Sequence, residues 1–567
     1  MNFNIPTQLA ELCVKKGVRH AVLCPGSRSA PLTLAFTRNK NVRCWTFSDE
    51  RSAAFIALGI AQQTHQPVVL VCTSGSAAYN FSPAVAEAFF QHVSLIILTA
   101  DRPSEWIDQL DGQTIRQKEL YGDHVKKYFE LPQEYTHPDS EWHANRIFNE
   151  ALNLSYTGQK GPVHINARFR EPLYPTSTEK SKSNPARVIE LIPPVSALSA
   201  TQWGELIKSF HEFKKILIVS GQNEHDPKLR KALHNFCSAN QLPVTGDLLS
   251  NLHPLPSFCG HSDTFLSQIS DADKESLRPD LLITFGKSLI SKNLKLFLRK
   301  YRPKEHWHLQ QSGESADTFQ SLTKIIQIEA QFFFNKLTRS GRAPQKSQQT
   351  FQARWNNLEA EVRTRISTFL NTGMEGEFIL VRKILESLPS NCHLHLANSM
   401  SVRYANHVGL TMAQKGIKVF SNRGTSGIDG CSSTAVGHAL VSDVPNVLIT
   451  GDLAFFYDRN AYWHNYQLPN LFVVVLNNHG GIIFNLIDGP AGLPEAEEFF
   501  VTRQKLNAKA LATEFGFTYE PFSNESLKSF FKPNGNAKIL ELESSQLTNK
   551  KIFEEFKKAI IKGYETK

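Results

Sequence analysis

Residues 472–481 read FVVVLNNHGG. An unbroken apolar run of this length, stopped by glycines, marks a strand buried on both faces, and such strands belong to parallel sheets covered by helices. The run ends in Asn477, Asn478, His479, Gly480 and Gly481. Amide oxygens and a pliable backbone at the mouth of a sheet contribute little to packing. They suit a place where something is held.

The same design recurs along the chain. HAVLCPG (20–26), VRCWTF (42–47), PVVLVCTSG (67–75), SLIILTADRP (94–103) and VHINARF (163–169) are short apolar runs ending in Gly, Pro, Ser or Asp. Helical stretches such as ERSAAFIALGIAQQT (50–64) separate them. KILIVSG, LPVTGDL and LLITFG repeat the pattern between 215 and 286, and HLHLANSM, NVLITGDLAF, LFVVVLNN and AKILELES between 393 and 544. The fold class expected is α/β, with three doubly wound parallel-sheet domains. A length of 567 residues allows three or four domains, at roughly 150 residues per domain. Two polar stretches, PTSTEKSKSNPAR (175–187) and TRSGRAPQKSQQ (338–349), read as linkers. They place the domains at 1–180, 188–337 and 350–567.

Composition narrows the class. Hydrophobic residues make up 41% and charged residues 20%, as in a soluble globular protein. No apolar run approaches the ~20 residues that span a bilayer. The start, MNFNIPTQLAELCVKKG, lacks the basic-then-apolar order of a signal peptide and reads as an amphipathic helix. The 8 cysteines are scattered, with no CxxC pair, so neither a zinc site nor a disulfide framework is indicated and a reducing cytoplasm is expected. The net charge of +9 is dispersed apart from patches such as KSFHEFKK (208–215) and the C-terminal tail. Without an arginine-rich or RNP-like motif it points to anionic small substrates, not nucleic acid.

VLITGDLAF (447–455) sets Gly451 and Asp452 directly after a strand, DRNAYWHNYQLPN (458–470) reads as the crossover, and the next strand delivers Asn478. Adjacent parallel strands would bring Asp452 and Asn478 to one rim. A hard cation such as Mg²⁺ takes oxygen ligands in an octahedron at ~2.1 Å and leaves places for phosphates. One carboxylate, one amide oxygen and a carbonyl from the glycine turn make such a set. Each residue alone also reads as a helix cap; the pair, one crossover apart, favours a metal–diphosphate site. The spacing resembles the thiamine diphosphate signature, GDG followed by NN, with Leu453 in place of the last glycine.

TFSDERSAAFIALGIAQQ (46–63) starts a helix at Glu50, whose helical neighbours are Ala53, Ala54, Ala57 and Ala61. Ser48 reads as its cap, with Asp49 and Glu50 at the positive end of the helix dipole. Thiamine catalysis needs a carboxyl hydrogen-bonded to the pyrimidine ring nitrogen. A carboxyl in an apolar setting keeps its proton more readily, which suits sharing it with that nitrogen.

In order along the chain, CPGSRSAPL, SDERSAAFIALG, TSGSAAYNFSPAVAEAF, LTADRP, SNRGTSGIDG, GDLAFFYD and NNHGGIIF resemble the SEPHCHC (2-succinyl-5-enolpyruvyl-6-hydroxy-3-cyclohexene-1-carboxylate) synthase family of menaquinone biosynthesis. The resemblance covers the outer domains closely and the middle one loosely. It implies decarboxylation of 2-oxoglutarate with thiamine diphosphate and Mg²⁺ or Mn²⁺, and addition of the succinyl unit to isochorismate. By motif, Glu50 is the cofactor-activating acid, with Gln113 beside it in catalysis, and Asp452, Asn478 and the Gly480 carbonyl hold the metal. Ile428 is the bulky residue that keeps the cofactor bent. Thr73, Ser74, Gly75, Ser399, Gly451, Leu453 and Ile483 complete the implied cofactor contacts. Ser27, Arg28, Arg102, Gln113, Lys292, Ser399, Arg403, Arg423 and Phe484 are the implied substrate contacts.

A charge count agrees. The two substrates bring four carboxylates and one leaves as carbon dioxide, so three anionic groups remain to be held. Arginine holds carboxylates bidentately and stays charged. Arg28, Arg102, Arg403 and Arg423 follow strands or lie in glycine-flanked loops, and Lys292 adds a fifth cation. Asn293 stands where some relatives have arginine, and Gly112 where an asparagine is common. His479, between Asn478 and Gly480, is expected to line the site.

In the thiamine diphosphate superfamily the coenzyme bridges two subunits, so a homodimer or homotetramer with sites at the subunit interface is expected. The middle domain lacks a GxGxxG loop, so no dinucleotide is expected there. The nearest rival is another thiamine diphosphate enzyme, an acetohydroxy acid synthase or an oxo-acid decarboxylase. A rival of another class is an inert α/β protein that binds nucleotides or partners.

Overall fold

Val, Ile and Leu dominate the central strands because their side chains fill both faces of a pleated layer without leaving a polar group to satisfy. The computed structural model describes residues 4–174, 185–194, 196–487 and 489–561, so the linker expected at 175–187 lies outside the described residues up to 184. Among the described residues eighteen strands form three six-stranded sheets, and the pairings within them are parallel. The first holds β1 (His20–Leu23), β2 (Arg43–Thr46), β3 (Val68–Cys72), β4 (Leu95–Asp101), β5 (Tyr128–Glu130) and β6 (Val163–Arg168). The central sheet holds β7 (Ile216–Ser220), β8 (Val244–Gly246), β9 (Phe258–Cys259), β10 (Leu281–Phe285), β11 (Glu305–Gln310) and β12 (Lys324–Gln327). The last holds β13 (His393–Leu396), β14 (Lys418–Phe420), β15 (Asn446–Gly451), β16 (Leu471–Asn477), β17 (Thr518–Pro521) and β18 (Lys538–Glu543).

The three sheets are not copies of one design. Counted within each unit, the outer two run 2-1-3-4-6-5, whereas the central one runs 3-2-1-4-5-6. In open α/β sheets a crevice opens at the carboxyl ends where the order reverses. In the outer sheets these points fall between β1 and β3 and between β13 and β15. In the central sheet the point falls between β7 and β10, and the chain itself crowds it. Gln222, after β7, donates to the Ser421 carbonyl at 3.0 Å, and the Lys287 ammonium, after β10, donates to the Gln91 carbonyl.

The domains share cores. One apolar cluster joins Ala53–Leu58, Phe81 and Ala88 of the first sheet's helices to Ala435, Val436, Phe455 and Tyr462 of the last. A second joins Leu248 and Phe265 of the central unit to Trp355, Phe378 and Tyr404. The stretch 338–349 turns helical at Lys346, where a helix runs to Leu370. Its polar opening hid an amphipathic period: Phe351, Trp355, Val362, Ile366 and Phe369 are buried, and Gln348 pairs with the Ile216 amide at 2.8 Å. All eight cysteines are free thiols, with Cys44 alone partly exposed. Among the described residues no helix is long and apolar enough to cross a membrane.

The helices Glu50–Thr64 and Cys431–Leu440 of the first and last domains meet glycine on glycine. A Cβ on Gly59 would run into the Thr434 carbonyl, and one on Gly437 into the Ile56 carbonyl. Both partners are backbone, so neither can swing away. Gly59→Ala is expected to destabilise the protein by about 3 kcal/mol and to lower its thermal midpoint. Gly204→Ala, in the exposed helix Ala200–Glu212 with open space at its Cβ, is expected to hold or raise the midpoint.

Candidate active site

β15 and β16 run side by side, with Gly451 paired to Leu476, so Asp452 and Asn477 are the first residues beyond the shared ladder. Asp452 opens the helix Asp452–Tyr457 and is 2% exposed. Its Oδ2 accepts from Gln504 Nε2 at 2.7 Å, and the amides of Leu453 and Gly480 point at the same carboxylate. The two asparagines separate. Asn477 turns inward, donating to Glu541 at 2.8 Å and to the Leu506 carbonyl at 2.9 Å. Asn478 faces the rim, donating to Glu377 Oε1 at 2.7 Å and accepting from Gln546 Nε2 at 3.0 Å. Gly480 has no room for a side chain, since a Cβ would lie 2.9 Å from the Val501 carbonyl oxygen.

The rim is electrically unbalanced. Burial raises the Asp452 carboxyl above its ordinary range. The fully enclosed Glu377 carboxyl is pushed up to about 7, by burial first; the Asn478 hydrogen bond opposes that rise and the Asp452 charge adds to it. Two buried acids thus flank Asn478, with no ion-pair partner for either among the described residues. Asp452, the Asn478 amide oxygen and the Gly480 carbonyl are the oxygen atoms of this rim that could hold a hard divalent cation; the Asn478 oxygen accepts from Gln546 and the Gly480 carbonyl from the Ile482 amide at 3.0 Å. Among the described residues there is no group of three His, Cys, Asp or Glu side chains that could hold a metal ion.

Glu50 begins the helix Glu50–Thr64, and the cap is Asp49, not the expected Ser48: its extended backbone lets Oδ1 accept from the Ser52 amide at 2.9 Å. A carboxylate at this position also complements the helix dipole, which a hydroxyl does not. The flanking residues tie this start to the last domain, Asp49 accepting from Asn460 at 2.7 Å and Arg51 donating to the Tyr457 carbonyl at 2.8 Å. Ala53, Ala54, Ala57 and Ala61 are buried, whereas Glu50 itself is partly exposed and meets Asn80 Nδ2 at 3.5 Å. Burial pushes up the thiols of Cys24, just after β1, and Cys72, at the end of β3, and the Glu50 charge adds to both.

The same switch point gathers other expected residues. A Cβ on Gly26 would strike the Thr73 side chain, and the Gly75 amide donates to Gln117 Oε1 at 3.1 Å. The Ser74 hydroxyl is buried without a partner. Gln113 is exposed in a left-handed turn, φ +56°, against Gly75. Arg102 holds that turn, donating to the Gly112 carbonyl at 2.6 Å and pairing with Asp111 at 3.2 Å. Arg28, 7% exposed, donates to the Phe169 carbonyl at 2.9 Å and lies 3.5 Å from Glu171, with Ser27 exposed beside it.

On the last sheet, Ser399 precedes the helix Met400–Val408 in a left-handed conformation, φ +73°. Its carbonyl accepts from Arg403 at 2.6 Å. Arg423 donates to Asn398 Oδ1 at 2.8 Å and keeps a buried Nε without a partner. Burial, then the neighbouring Arg423 charge, lowers Arg403, so the two guanidiniums share one field. Ile428 is 37% exposed, Leu453 and Ile483 are partly buried, and Phe484 packs on Phe500 at 5.8 Å. His479 sits at φ +62° with Nδ1 buried and unpartnered.

Lys292, at the start of the helix Lys292–Lys300, is exposed. Lys295 instead lies in the field of Arg423, Asp247 and Asp263, and burial lowers it. Asn293 is spent on Asp263, its amide meeting Oδ1 at 2.7 Å. Sequence reasoning passed over Lys295, although its three-residue offset from Lys292 on one helix was a usable signal. It also passed over Glu377, Gln504 and Gln546, which lie far along the chain in segments with no local mark.

With this geometry in place, known proteins can be set beside the chain. Residues 3–125 match the thiamine pyrophosphate enzyme N-terminal TPP-binding domain, and residues 197–396 match the middle domain of thiamine pyrophosphate enzymes. A 2-succinyl-5-enolpyruvyl-6-hydroxy-3-cyclohexene-1-carboxylate synthase of Cytophaga hutchinsonii is 46% identical over 98% of this chain and 99% of its own. The chain belongs to the SEPHCHC synthase family. Synthases of Porphyromonas gingivalis and Flavobacterium johnsoniae are 38% and 37% identical over 97% of the chain.

Proposed function

We propose that the chain decarboxylates 2-oxoglutarate and adds the resulting succinyl unit to isochorismate, giving SEPHCHC and carbon dioxide in menaquinone biosynthesis. The supporting observation is near-full-length identity to named synthases, with the family's motifs on the carboxyl rims of the outer sheets. Bound thiamine diphosphate supplies the electron sink that decarboxylation of a 2-oxo acid requires. Asp452, Asn478 and the Gly480 carbonyl would hold Mg²⁺ or Mn²⁺ for its diphosphate. Glu50 would hold the pyrimidine nitrogen and share a proton with it. Ile428, Leu453 and Ile483 would shape the apolar wall. Thr73, Ser74, Gly75, Ser399 and Gly451 would line the coenzyme, with Gln113 near the reacting carbon. Ser27, Arg28, Arg102, Lys292, Arg403, Arg423 and Phe484 would take the substrate, the cations binding carboxylates.

The domain division that goes with this reading is 1–180 for the pyrimidine, 188–337 central and 350–567 for the diphosphate. The protein works in the cytoplasm as a homodimer or homotetramer with the coenzyme between subunits. Two features support shared sites: Glu50 is partly open in the single chain, and Tyr79, Tyr457 and Trp463 expose more than half of their surface in it.

The deciding assay supplies isochorismate, 2-oxoglutarate, thiamine diphosphate and Mg²⁺, and follows isochorismate absorbance and released carbon dioxide together. Equal rates support the reading. Turnover of pyruvate with no demand for isochorismate would replace it with an acetohydroxy acid synthase or oxo-acid decarboxylase.

Glu377 gives the metal assignment its own check. Its carboxylate receives the Asn478 amide nitrogen and so turns the amide oxygen the other way. Glu377→Gln keeps the shape but can present a donor there. Mn²⁺ affinity in the presence of thiamine diphosphate, read by spin resonance of the free ion, is expected to fall by about 10- to 100-fold. An unchanged affinity would mean that Asn478 is oriented by something else.

A further inference from the structure

The loop 421–430, SNRGTSGIDG, carries Arg423 and Ile428 and connects β14 to the helix Cys431–Leu440. Its two ends are held from within the last domain. Asn398 Nδ2 donates to the carbonyls of Asn422 at 2.7 Å and Gly427 at 2.6 Å, and Asn422 donates to Thr434 at 2.9 Å. Between those anchors, Gly424 and Thr425 are held from the first domain by a residue that the reaction leaves unexplained.

That residue is Glu87, on the helix Ser82–Gln91, with no exposed surface. Its Oε1 accepts from the Gly424 amide at 2.9 Å and from Gln91 Nε2 at 3.0 Å. Its Oε2 accepts from the Thr425 amide at 2.6 Å and from the Thr425 hydroxyl at 2.7 Å. A carboxylate has four acceptor sites, and here each is matched by a donor. An amide in its place would aim two hydrogens at groups that are themselves donors. The approach is close: a Cβ on Gly424 would lie 2.8 Å from the Glu87 carbonyl oxygen and 3.0 Å from Oε2. Gln91 extends the grip by donating to the Ser421 carbonyl at 3.0 Å. The Glu87 charge is also felt at Arg423, whose guanidinium is pulled down by burial and supported by Asp247 and Glu87.

We propose that Glu87 is a positioning residue that sets the Arg423 end of this loop, so that the first domain controls how the last one holds its anionic substrate. This rests on the synthase reading above. Glu87 touches neither the Asp452–Asn478 rim nor Glu50 through any hydrogen bond among the described residues. Ile428 follows Gly427, whose carbonyl Asn398 holds from within the last domain, so loss of Glu87 is expected to leave coenzyme binding in place while loosening the carboxylate grip.

The test compares Glu87→Gln, Thr425→Val and Thr425→Ser in the full-length protein, with steady-state kinetics in both substrates and a fluorescence titration of thiamine diphosphate with Mg²⁺. Glu87→Gln is expected to raise KM for at least one substrate about tenfold or more, with coenzyme affinity unchanged and kcat held within a few-fold. Thr425→Val, which deletes one of the four donors, should move KM the same way by less, and Thr425→Ser should restore it. If Glu87→Gln does not fold, the two Thr425 variants carry the comparison. An unchanged KM in Glu87→Gln or in Thr425→Val would overturn the proposal. So would a joint fall in coenzyme affinity and kcat with KM constant, which marks a purely structural role. A wild-type chain inactive on 2-oxoglutarate and isochorismate would sink the functional reading instead, and the two failures are told apart by measuring it first.

Discussion

Glu50→Gln is expected to bind thiamine diphosphate and Mg²⁺ as the wild type does while losing turnover by about a hundredfold or more. Glutamine keeps the length, the helix and a hydrogen-bonding group facing the same way. It cannot share a proton with a ring nitrogen, and that is the one thing asked of this residue. The fold around it should not change. The helix start is capped by Asp49 and tied down by Asn460 and by Arg51 on Tyr457, none of which involves the Glu50 carboxyl. Coenzyme affinity from a fluorescence titration and kcat from carbon dioxide release separate the two effects. A rate near that of the wild type would remove Glu50 from the chemistry.

Asp452→Asn should behave in the opposite way, losing the ion and with it the coenzyme. Asp452 is the only carboxylate in the proposed donor set, and a hard divalent cation bound by neutral oxygens alone is held weakly. Mn²⁺ affinity is expected to fall by more than about a hundredfold. Stability carries a second signature. In the metal-free protein the Asp452 carboxyl is buried with no ion pair among the described residues, which is costly. The substitution is therefore expected to hold or raise the thermal midpoint of the free protein, and to abolish the rise that Mg²⁺ with thiamine diphosphate gives the wild type. A variant that still shifts on adding both would show that the ion sits elsewhere.

Much of the architecture was legible because a strand buried on both faces must be apolar throughout. Each of the twelve runs singled out in the sequence became a strand, from HAVLCPG at β1 to AKILELES at β18. The six unforeseen strands are short or mixed. β5, β14 and β9 have two or three residues each, and β11 reads EHWHLQ, apolar only at Trp307 and Leu309. Of 338–349, residues 339–345 do connect two helices, and only from Lys346 do the polar residues open a long helix, whose first turn is too short to show a period.

The same division runs through the site. Local order alone determined that Asp452 and Asn478 stand at the ends of buried strands and that Glu50 opens an alanine-rich helix, because a strand's end and a helix's start are written in adjacent residues. Only the tertiary structure decided what surrounds them. Glu377 reaches Asn478 across 101 positions, Gln504 reaches Asp452 across 52, and Glu87 reaches Gly424 across 337. Those contacts arise when sheets stack and loops meet. Chain entropy makes every such distant pairing one of many, so no local pattern announces which acid will face which loop.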